Sequence, residues 1–162
     1  MKKVIYPGSF DPVTYGHLDI ARRAARLFDE VIFVVAVNPT KKPLFTTAER
    51  VNLIREATGN IAGITVTSSD DLIANFARKE SAVALIRGLR HVSDFEYEFQ
   101  MAMMNYHLNP EVATVLLIPH EKYVHLNSTV IKDIVRLGGD VSEFIPENVF
   151  SALRAKLFTR KI

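Results

Sequence analysis

Residues 4–17 read Val4-Ile-Tyr-Pro-Gly-Ser-Phe-Asp-Pro-Val-Thr-Tyr-Gly-His17 and join an apolar run to a helical pattern. Val4–Tyr6 is β-branched and aromatic, which is typical of a strand. Gly8 lets a ligand approach the backbone closely, and Thr14 is a typical N-cap residue that places His17 in the first helical turn. The N–H groups at a helix N-terminus favour a bound anion. The stretch therefore predicts a strand–turn–helix unit that binds an anion at its turn.

The same alternation of strand and helix continues along the chain. Apolar, β-branched runs predict four further strands: Val31–Val37, Ile64–Thr67, Val83–Ile86 and Ala113–Ile118. The third strand, Ile64–Thr67, alternates in polarity and suits a sheet edge. Helical patterns separate the strands, as expected for a parallel sheet with helices on both faces. We therefore expect a single α/β domain over residues 1–162, a Rossmann-like, doubly wound, five-stranded parallel sheet that binds its ligand beyond the carboxyl ends of its strands.

Capping signals predict several helix boundaries. Thr46–Glu49 and Ser93–Glu96 both have the capping-box pattern, which predicts that a helix begins at each. The pair Gly138–Gly139 predicts the end of a helix that contains Val130–Val135. A last helix is expected at about 147–158, after a proline.

Composition excludes several classes of function. Twenty Lys and Arg against 18 Asp and Glu give a net charge of +2, too balanced for a general nucleic-acid-binding protein. The absence of cysteine excludes thiolate catalysis and Cys-ligated metals. The longest apolar run, Val31–Val37, is much shorter than a membrane span, and the first apolar run ends at Pro7, unlike a signal peptide. We expect a cytoplasmic protein that binds neither nucleic acid nor membrane.

Positive side chains follow two of the predicted strands. Lys41 and Lys42 come after the second strand, and Arg87 and Arg90 come after the fourth, on either side of Gly88. The lysine pair alone is more typical of a solvated loop, whereas guanidinium groups at this position suit phosphate contacts. No Ser-His-Asp triad and no P-loop sequence is apparent. The pattern therefore favours phosphate binding without a protein nucleophile.

The helix predicted near Ser93 has one mixed face and two apolar faces at about 100° per residue. The mixed face consists of Asp94, Glu98, Met101 and Asn105. The apolar stripes are Phe95, Phe99, Ala102 and Tyr106 on one side, and Tyr97, Met104 and Leu108 on another. The mixed face fits a pocket wall or a solvated strip equally well. A helix this apolar is expected to pack both inside the domain and against another subunit.

The segment His120–Thr129 leads from the fifth strand into the next helix. It ends in three cap-forming residues, Asn127, Ser128 and Thr129. This helix start can bind a phosphate, but plain capping explains any one of the three residues equally well. The histidines His107, His120 and His125 lack helical spacing with carboxylates, and we expect them on the surface rather than on a metal.

Thr14-Tyr-Gly-His17 resembles the (T/H)xGH signature of the nucleotidyltransferase superfamily. The longer string Tyr6–His17 is more specific, and three further strings narrow the resemblance: Ile86-Arg-Gly-Leu-Arg90, Asp94-Phe-Glu-Tyr-Glu98 and Asn38-Pro-Thr-Lys-Lys-Pro43. Over essentially its whole length the chain is similar to the bacterial phosphopantetheine adenylyltransferases. The resemblance implies transfer of the adenylyl group of ATP to 4′-phosphopantetheine, which gives dephospho-coenzyme A and pyrophosphate in coenzyme A synthesis.

The resemblance also implies roles for individual residues. As the catalytic residue, His17 would stabilise charge on the α-phosphate in the transition state. The implied ATP-binding residues are Ser9, Phe10, His17, Gly88, Leu89, Arg90, Glu98, Tyr123, Val124, His125, Leu126, Asn127, Ser128 and Thr129. The implied acceptor-binding residues are Ser9, Lys41, Ile73, Arg87, Met101 and Asn105, of which Lys41 and Arg87 would hold the acceptor phosphate.

Further expectations concern the metal, the assembly and an inhibitor. The family uses Mg²⁺, which would be held mainly by ATP phosphates and water. Its members form homohexamers, as dimers of trimers, and bind coenzyme A as a product-like inhibitor. The sequence departs from the family pattern at three positions: Asn127 replaces a hydroxyl residue, His125 stands where an aromatic is common, and His91 stands where a small residue is usual. A hydroxyl contact at 127 is therefore lost, whereas backbone contacts would survive.

Two alternative functions stay open. The first is another nucleotidyltransferase, which acts on nicotinamide mononucleotide or glycerol phosphate. The second is a nucleotide-binding sensor on the same fold, which would bind ATP and release no pyrophosphate. The Arg87–Arg90 and Asp94–Glu98 strings argue against the first alternative, and the intact Thr14–His17 signature argues against the second.

Overall fold

A computed structural model describes residues 1–38 and 40–158. Pro39, which belongs to the Asn38–Pro43 string, and residues 159–162 of the expected domain lie outside the described residues. Five parallel strands form one sheet in the order β3-β2-β1-β4-β5. Their bounds are β1 Lys3–Gly8, β2 Glu30–Ala36, β3 Ile64–Ser69, β4 Ala84–Gly88 and β5 Ala113–Leu117. The predicted five-stranded parallel sheet is confirmed, and β3 lies at an edge as its alternating pattern predicted.

Helices connect the strands and complete the carboxyl-terminal part of the domain. Their bounds are α1 Tyr15–Ala25, α2 Thr47–Thr58, α3 Ile73–Lys79, α4 Val92–Leu108, α5 Ser128–Arg136 and α6 Glu147–Phe158. A short 3₁₀ turn, Glu121–Tyr123, precedes α5. Within the part of the chain that the structure describes, no helix is long and apolar enough to cross a membrane.

The capping box at the start of α2 is confirmed. The N–H of Glu49 donates to Thr46 Oγ1 at 3.2 Å, and the N–H of Thr46 donates to Glu49 Oε2 at 2.7 Å. The end of α5 is confirmed as well, because the helix stops at Arg136 and Gly138 adopts a φ of +84°. That left-handed conformation favours glycine and ends the helix.

The capping box predicted at Ser93 and Glu96 is wrong. Helix α4 begins at Val92, with His91 as its N-cap. The N–H of His91 donates to Asp94 Oδ2 at 3.2 Å. The carboxylate of Asp94 thus accepts from the backbone N–H of the N-cap residue, and the helix begins two residues earlier than the pattern of Ser93 and Glu96 predicted.

Both faces of the sheet are buried. Successive residues of a strand point to opposite faces, so Val4 and Tyr6 join one apolar cluster while Ile5 joins the other. The larger cluster includes residues of α1, α2, α5 and α6, and the smaller cluster includes residues of α3. Strand β1 pairs with β2 on one side and β4 on the other, so the strand order reverses at β1. A crevice beyond the carboxyl ends of β1 and β4 is therefore the expected ligand site.

Helix α4 is the least covered element of the domain. Glu98 is its one buried residue. Phe95, Phe99 and Met104 are 48%, 51% and 55% exposed. The expectation that one apolar stripe packs inside the domain is wrong for the single chain, because residues of both stripes face outward. Their exposure leaves a long apolar helix surface without a partner among the described residues.

Candidate active site

A cavity of about 520 Å³ lies beyond the carboxyl ends of β1 and β4. It is bounded by the turn after β1, the first turn of α1, the loop after β2, the end of β4 and the start of α5. Most of the predicted site residues line it: Ser9, Phe10, His17, Lys41, Arg87, Gly88, Arg90, Glu98, Tyr123, Leu126, Asn127, Ser128 and Thr129. The fold therefore brings together residues that the sequence separates by more than a hundred positions.

Six predicted site residues do not line this cavity: Leu89, Val124, His125, Ile73, Met101 and Asn105. Ile73 packs against the smaller core cluster. The ring of His125 lies 5.7 Å from the ring of His91, centroid to centroid. Met101 and Asn105 lie on α4, farther along than Glu98, and Leu89 donates its N–H to the carbonyl of Leu117 at 2.9 Å. The implied ligand contacts of these six residues stay predictions.

The turn after β1 is closely packed. Phe10 has a φ of +47°, in the left-handed region that a side chain rarely adopts. Its buried ring lies 5.0 Å from the ring of Phe33 and 5.1 Å from the ring of His17, centroid to centroid. A Cβ atom on Gly8 would lie 2.8 Å from the Phe10 ring, so only glycine allows this approach. The packed ring thereby fixes the turn that carries Ser9 to the cavity.

His17 lies in the first turn of α1 with one ring nitrogen already occupied. The N–H of Thr14 donates to His17 Nδ1 at 3.0 Å, and the N–H of His17 donates back to Thr14 Oγ1 at 3.4 Å. Burial, together with the positive charges of Arg90 and Arg87, lowers the pKa of His17 to about 4. The ring is therefore neutral at pH 7 and keeps its Nε2–H as a donor at the cavity.

Arg87 and Glu98 form a two-point ion pair at the cavity. Arg87 Nε donates to Glu98 Oε2 at 2.8 Å, and Nη2 donates to Oε1 at 2.9 Å. A third bond runs from Arg87 Nη1 to the carbonyl of Pro7 at 2.8 Å, which ties β4 to β1. Of the five guanidinium N–H groups, these bonds use three and leave two for a ligand. The structure therefore assigns the carboxylate of Glu98 to orienting Arg87.

Three further positive side chains line the cavity: Arg90, Lys41 and Lys42. Arg90 Nη1 donates to the carbonyl of Leu126 at 2.5 Å, which joins the end of β4 to the approach to α5. Neither lysine forms an ion pair with a residue in the described ranges. Their charges are thus free for an anionic ligand.

A second ion pair of the cavity, between Lys132 and Asp11, was missed at the sequence level. Lys132 Nζ donates to Asp11 Oδ2 at 2.9 Å, and the N–H groups of Leu44 and Phe45 donate to the same carboxylate at 2.9 Å each. Burial alone would raise the pKa of the Asp11 carboxyl, but these three bonds hold it below its ordinary value. Lys132 lies one turn after Ser128, on the same face of α5, and that spacing was the available signal.

Arg50 is the other missed residue of the cavity. It lies on α2, is 4% exposed, and donates from Nη1 to the carbonyl of Ser9 at 2.7 Å. Its Nη2 donates to Thr47 Oγ1 at 3.2 Å. Arg50 is three, four and seven residues before Leu53, Ile54 and Ala57, which places it on the apolar stripe of α2, whereas Arg55 lies off that stripe. That periodicity was the available signal.

The first residues of α5 use their side chains for the fold. Asn127 Oδ1 accepts from the N–H of Thr129 at 2.8 Å, which makes Asn127 the N-cap. The hydroxyl of Ser128 donates to the carbonyl of Pro12 at 2.9 Å. The backbone N–H groups of this helix start, at the cavity, suit a phosphate better than the occupied side chains do.

The cavity does not offer a ready metal site from its own side chains. No group of three or more His, Asp and Glu side chains with metal-binding geometry occurs among the residues that the structure describes. Its two carboxylates are already paired, Asp11 with Lys132 and Glu98 with Arg87.

Two of the solved structures that share the fold come from Francisella tularensis. The crystal structure of a bifunctional NMN adenylyltransferase/ADP ribose pyrophosphatase from Francisella tularensis has a TM-score of 0.72 and 14% identity, over 94% of this chain and 48% of that chain. A structure of the bifunctional enzyme from the same organism, complexed with AMP and a manganese ion, has a TM-score of 0.67 and 14% identity, over 98% and 52%. The chain spans about half the length of those chains, and identity this low establishes a common fold alone.

The family assignment rests on a match to a family model. Residues 5–134 match the Cytidylyltransferase-like family. This range contains the turn after β1, the His17 signature, the Arg87–Glu98 pair and most of α5. The match covers well over half of the chain, and the chain therefore belongs to the Cytidylyltransferase-like family of the nucleotidyltransferase superfamily.

Proposed function

We propose that this protein transfers the adenylyl group of ATP to 4′-phosphopantetheine and releases dephospho-coenzyme A and pyrophosphate. The observation that carries the transfer chemistry is the placement of a neutral His17 donor beside Arg87 and Arg90 in one cavity. The choice of acceptor rests on the Arg87–Arg90, Asp94–Glu98 and Asn38–Pro43 strings. The family and the adenylyltransferase fold of the solved structures support the coarser assignment.

The proposed reaction is a direct displacement. A phosphate oxygen of the acceptor forms a bond to the α-phosphorus of ATP while the bond from that phosphorus to the α–β bridging oxygen breaks. The electron pair of the broken bond leaves with pyrophosphate. The acceptor phosphate is already a nucleophile, so the protein supplies orientation and charge stabilisation rather than a covalent intermediate.

His17 has the central role in this mechanism. Its Nε2–H would donate to the α-phosphate as charge shifts between the non-bridging and bridging oxygens. Thr14 holds this donor rigidly. The donor stabilises the transition state more than it stabilises bound ATP, and it therefore raises kcat.

The other positive groups would bind different substrates. Lys41 and the two free N–H groups of Arg87 would hold the acceptor phosphate, together with Ser9. Arg90 and the backbone at the start of α5 would hold ATP. Ile73, Met101 and Asn105 are proposed to contact the pantetheine arm outside the cavity, where the arm continues beyond its phosphate. Mg²⁺ would supply charge neutralisation to the ATP phosphates, and the paired state of Asp11 and Glu98 fits a metal held by phosphates and water.

We also propose self-association and feedback binding. The exposed apolar surface of α4 supports a homohexamer in which this helix is covered by a neighbouring copy. Coenzyme A shares the adenylyl and pantetheine parts of the proposed product, so it would occupy the same cavity as an inhibitor.

A panel of acceptors tests the proposal. Pyrophosphate release is measured with ATP and Mg²⁺ in the presence of 4′-phosphopantetheine, nicotinamide mononucleotide, glycerol phosphate or pantetheine without its phosphate. We expect release with 4′-phosphopantetheine alone. Release with another acceptor would identify a different nucleotidyltransferase, and ATP binding without any release would identify a sensor.

A further inference from the structure

Arg50 is a buried cation without an anion in direct contact. The residue is 4% exposed, and no carboxylate in residues 1–38 and 40–158 lies within ion-pair distance of it. Its Nε atom is buried and has no hydrogen-bond partner in the described chain. The nearby carboxylate of Asp11 already accepts three hydrogen bonds. An unpaired buried charge is costly, and a ligand of opposite charge offsets that cost.

The position of Arg50 points to the ligand that would do so. The side chain lines the same cavity as Lys42 and Lys132. Burial lowers the pKa of Arg50, and the negative charge of Asp11 opposes this shift only in part. An arginine side chain nevertheless keeps its proton in a protein. The side chain is therefore positively charged before a ligand binds, and a bound anion would lower the free-energy cost of burying that charge.

Arg50 also holds the backbone of the turn after β1. Its Nη1 donates to the carbonyl of Ser9 at 2.7 Å. In a planar trans peptide, the N–H of Phe10 then points in the direction opposite to that carbonyl. No group among the described residues accepts a hydrogen bond from the Phe10 N–H. Arg50 thus holds the carbonyl side of this peptide, while its N–H remains available to a ligand. The strained φ of Phe10 persists because the surrounding contacts fix the turn.

We propose that Arg50 is a positioning residue for the phosphates of the bound nucleotide: it fixes the Gly8–Phe10 turn, and its buried charge is balanced by the ligand phosphates. The inference rests on the proposed nucleotide site. It adds a residue from α2 to a site otherwise built from β1, α1, the loop after β2, β4, α4 and α5.

The test compares two ligands and three variants. Dissociation constants of ATP and of inorganic tripolyphosphate are measured by calorimetry for the wild-type chain, Arg50→Met and Arg50→Lys. Arg55→Met, on the exposed side of the same helix, is the matched control. Each variant is also unfolded thermally with and without ligand.

We expect Arg50→Met to weaken the binding of ATP and of tripolyphosphate by a similar factor, about 10- to 150-fold. Arg50→Lys should recover part of this loss, and Arg55→Met should behave as wild type. Without ligand, the melting temperature of Arg50→Met should change little, because an uncompensated charge is removed, whereas its stabilisation by ATP should shrink. A merely structural role would instead lower the melting temperature and leave the ligand affinities of the folded protein unchanged.

Three results would overturn the proposal. The first is wild-type affinity for both ligands in both Arg50 variants. The second is a loss of affinity for ATP without a loss of affinity for tripolyphosphate. The third is failure of the wild-type chain to bind tripolyphosphate. If Arg50→Met does not fold, Arg50→Lys decides alone, and wild-type affinity in that variant contradicts the inference. These measurements involve no turnover, so a failure of the proposed transfer reaction is recognised separately in the pyrophosphate assay.

Discussion

The backbone N–H of Thr14 donates a hydrogen bond to Nδ1 of His17 at 3.0 Å. An amide nitrogen can only donate, so this ring nitrogen carries no proton and the hydrogen of the neutral ring lies on Nε2. The same threonine caps α1 through its hydroxyl, which accepts from the N–H of His17. One residue thus fixes both the start of the helix and the tautomer of the histidine at the cavity.

The first prediction concerns the titration of His17. Burial and two nearby arginines lower its pKa from 6.5 to about 4. In the absence of ligand, an NMR titration should therefore show this ring neutral down to about pH 5. ATP brings negative charge to the ring and should raise its midpoint. A midpoint near 6.5 in the empty protein would contradict this environment.

The same shift predicts how stability depends on pH. Between the unfolded pKa of 6.5 and the folded value of about 4, the unfolded chain binds a proton at His17 that the folded chain does not. The free energy of unfolding should therefore fall as the pH falls through this window, by at most about 3 kcal/mol. Urea unfolding of the wild-type chain and of His17→Asn measures the difference, because the variant lacks this proton. Parallel pH profiles for the two chains would contradict the assignment.

The Arg87–Glu98 pair predicts a stability effect. Glu98→Ala leaves a partly buried guanidinium without its carboxylate and should lower the free energy of unfolding by about 2–3 kcal/mol. Asp133→Asn breaks an ion pair whose partners are both more than half exposed, and it should cost less than about 1 kcal/mol. Adding Arg87→Met to Glu98→Ala should recover part of the loss. Equal effects of the two single variants would show that the buried pair is not coupled.

The features that the sequence predicted well depend on local patterns. The capping box of Thr46 and Glu49 joins residues three apart, and the strand–turn–helix unit around Gly8 lies within 15 residues. Missed contacts join distant residues instead. Arg50 meets Ser9 across 41 positions, and Lys132 meets Asp11 across 121.

The side-chain pairings inside the cavity also could not be predicted from sequence patterns. The sequence placed Arg87 and Glu98 at the same site, but helical periodicity cannot show that the carboxylate is engaged by the guanidinium.

For α4, an apolar stripe has the same composition whether it faces the core or another molecule. The structure was needed to show that Phe95 and Tyr106 face outward.

Lys41 predicts a difference between the two substrates. If Lys41 holds the acceptor phosphate, Lys41→Ala should weaken the binding of 4′-phosphopantetheine by about 10-fold or more and leave the affinity for ATP nearly unchanged. Lys2→Ala, at the amino end of β1 and away from the cavity, is the control. Steady-state KM values for the acceptor, together with calorimetric ATP binding, separate the two effects. Equal losses for both substrates would remove the proposed division between acceptor and nucleotide.

The exposed surface of α4 predicts assembly. Sedimentation at micromolar concentration should give a species near six times 18.2 kDa. Phe99→Glu and Met104→Glu should dissociate it, because each buries a charge in an apolar interface. Leu137→Glu changes a single apolar residue that is 89% exposed outside α4, and it should leave the assembly intact. A fully active wild-type monomer would refute self-association through this helix.

The strongest test of the mechanism is His17→Ala. The variant removes a preorganised donor from the transition state, and such a loss typically lowers kcat by about 10²–10³-fold. Thr14 can still cap α1 with its hydroxyl, so we expect the protein to fold and to bind ATP within about tenfold of wild type. His17→Asn keeps a neutral donor and should recover part of the turnover if the shorter side chain reaches the α-phosphate. Steady-state kcat is compared with calorimetric ATP affinity for both variants. A near-normal kcat in His17→Ala, or a deficit explained wholly by lost ATP affinity, would make His17 a binding or capping residue, because only a group that acts in the transition state lowers turnover at saturating substrate.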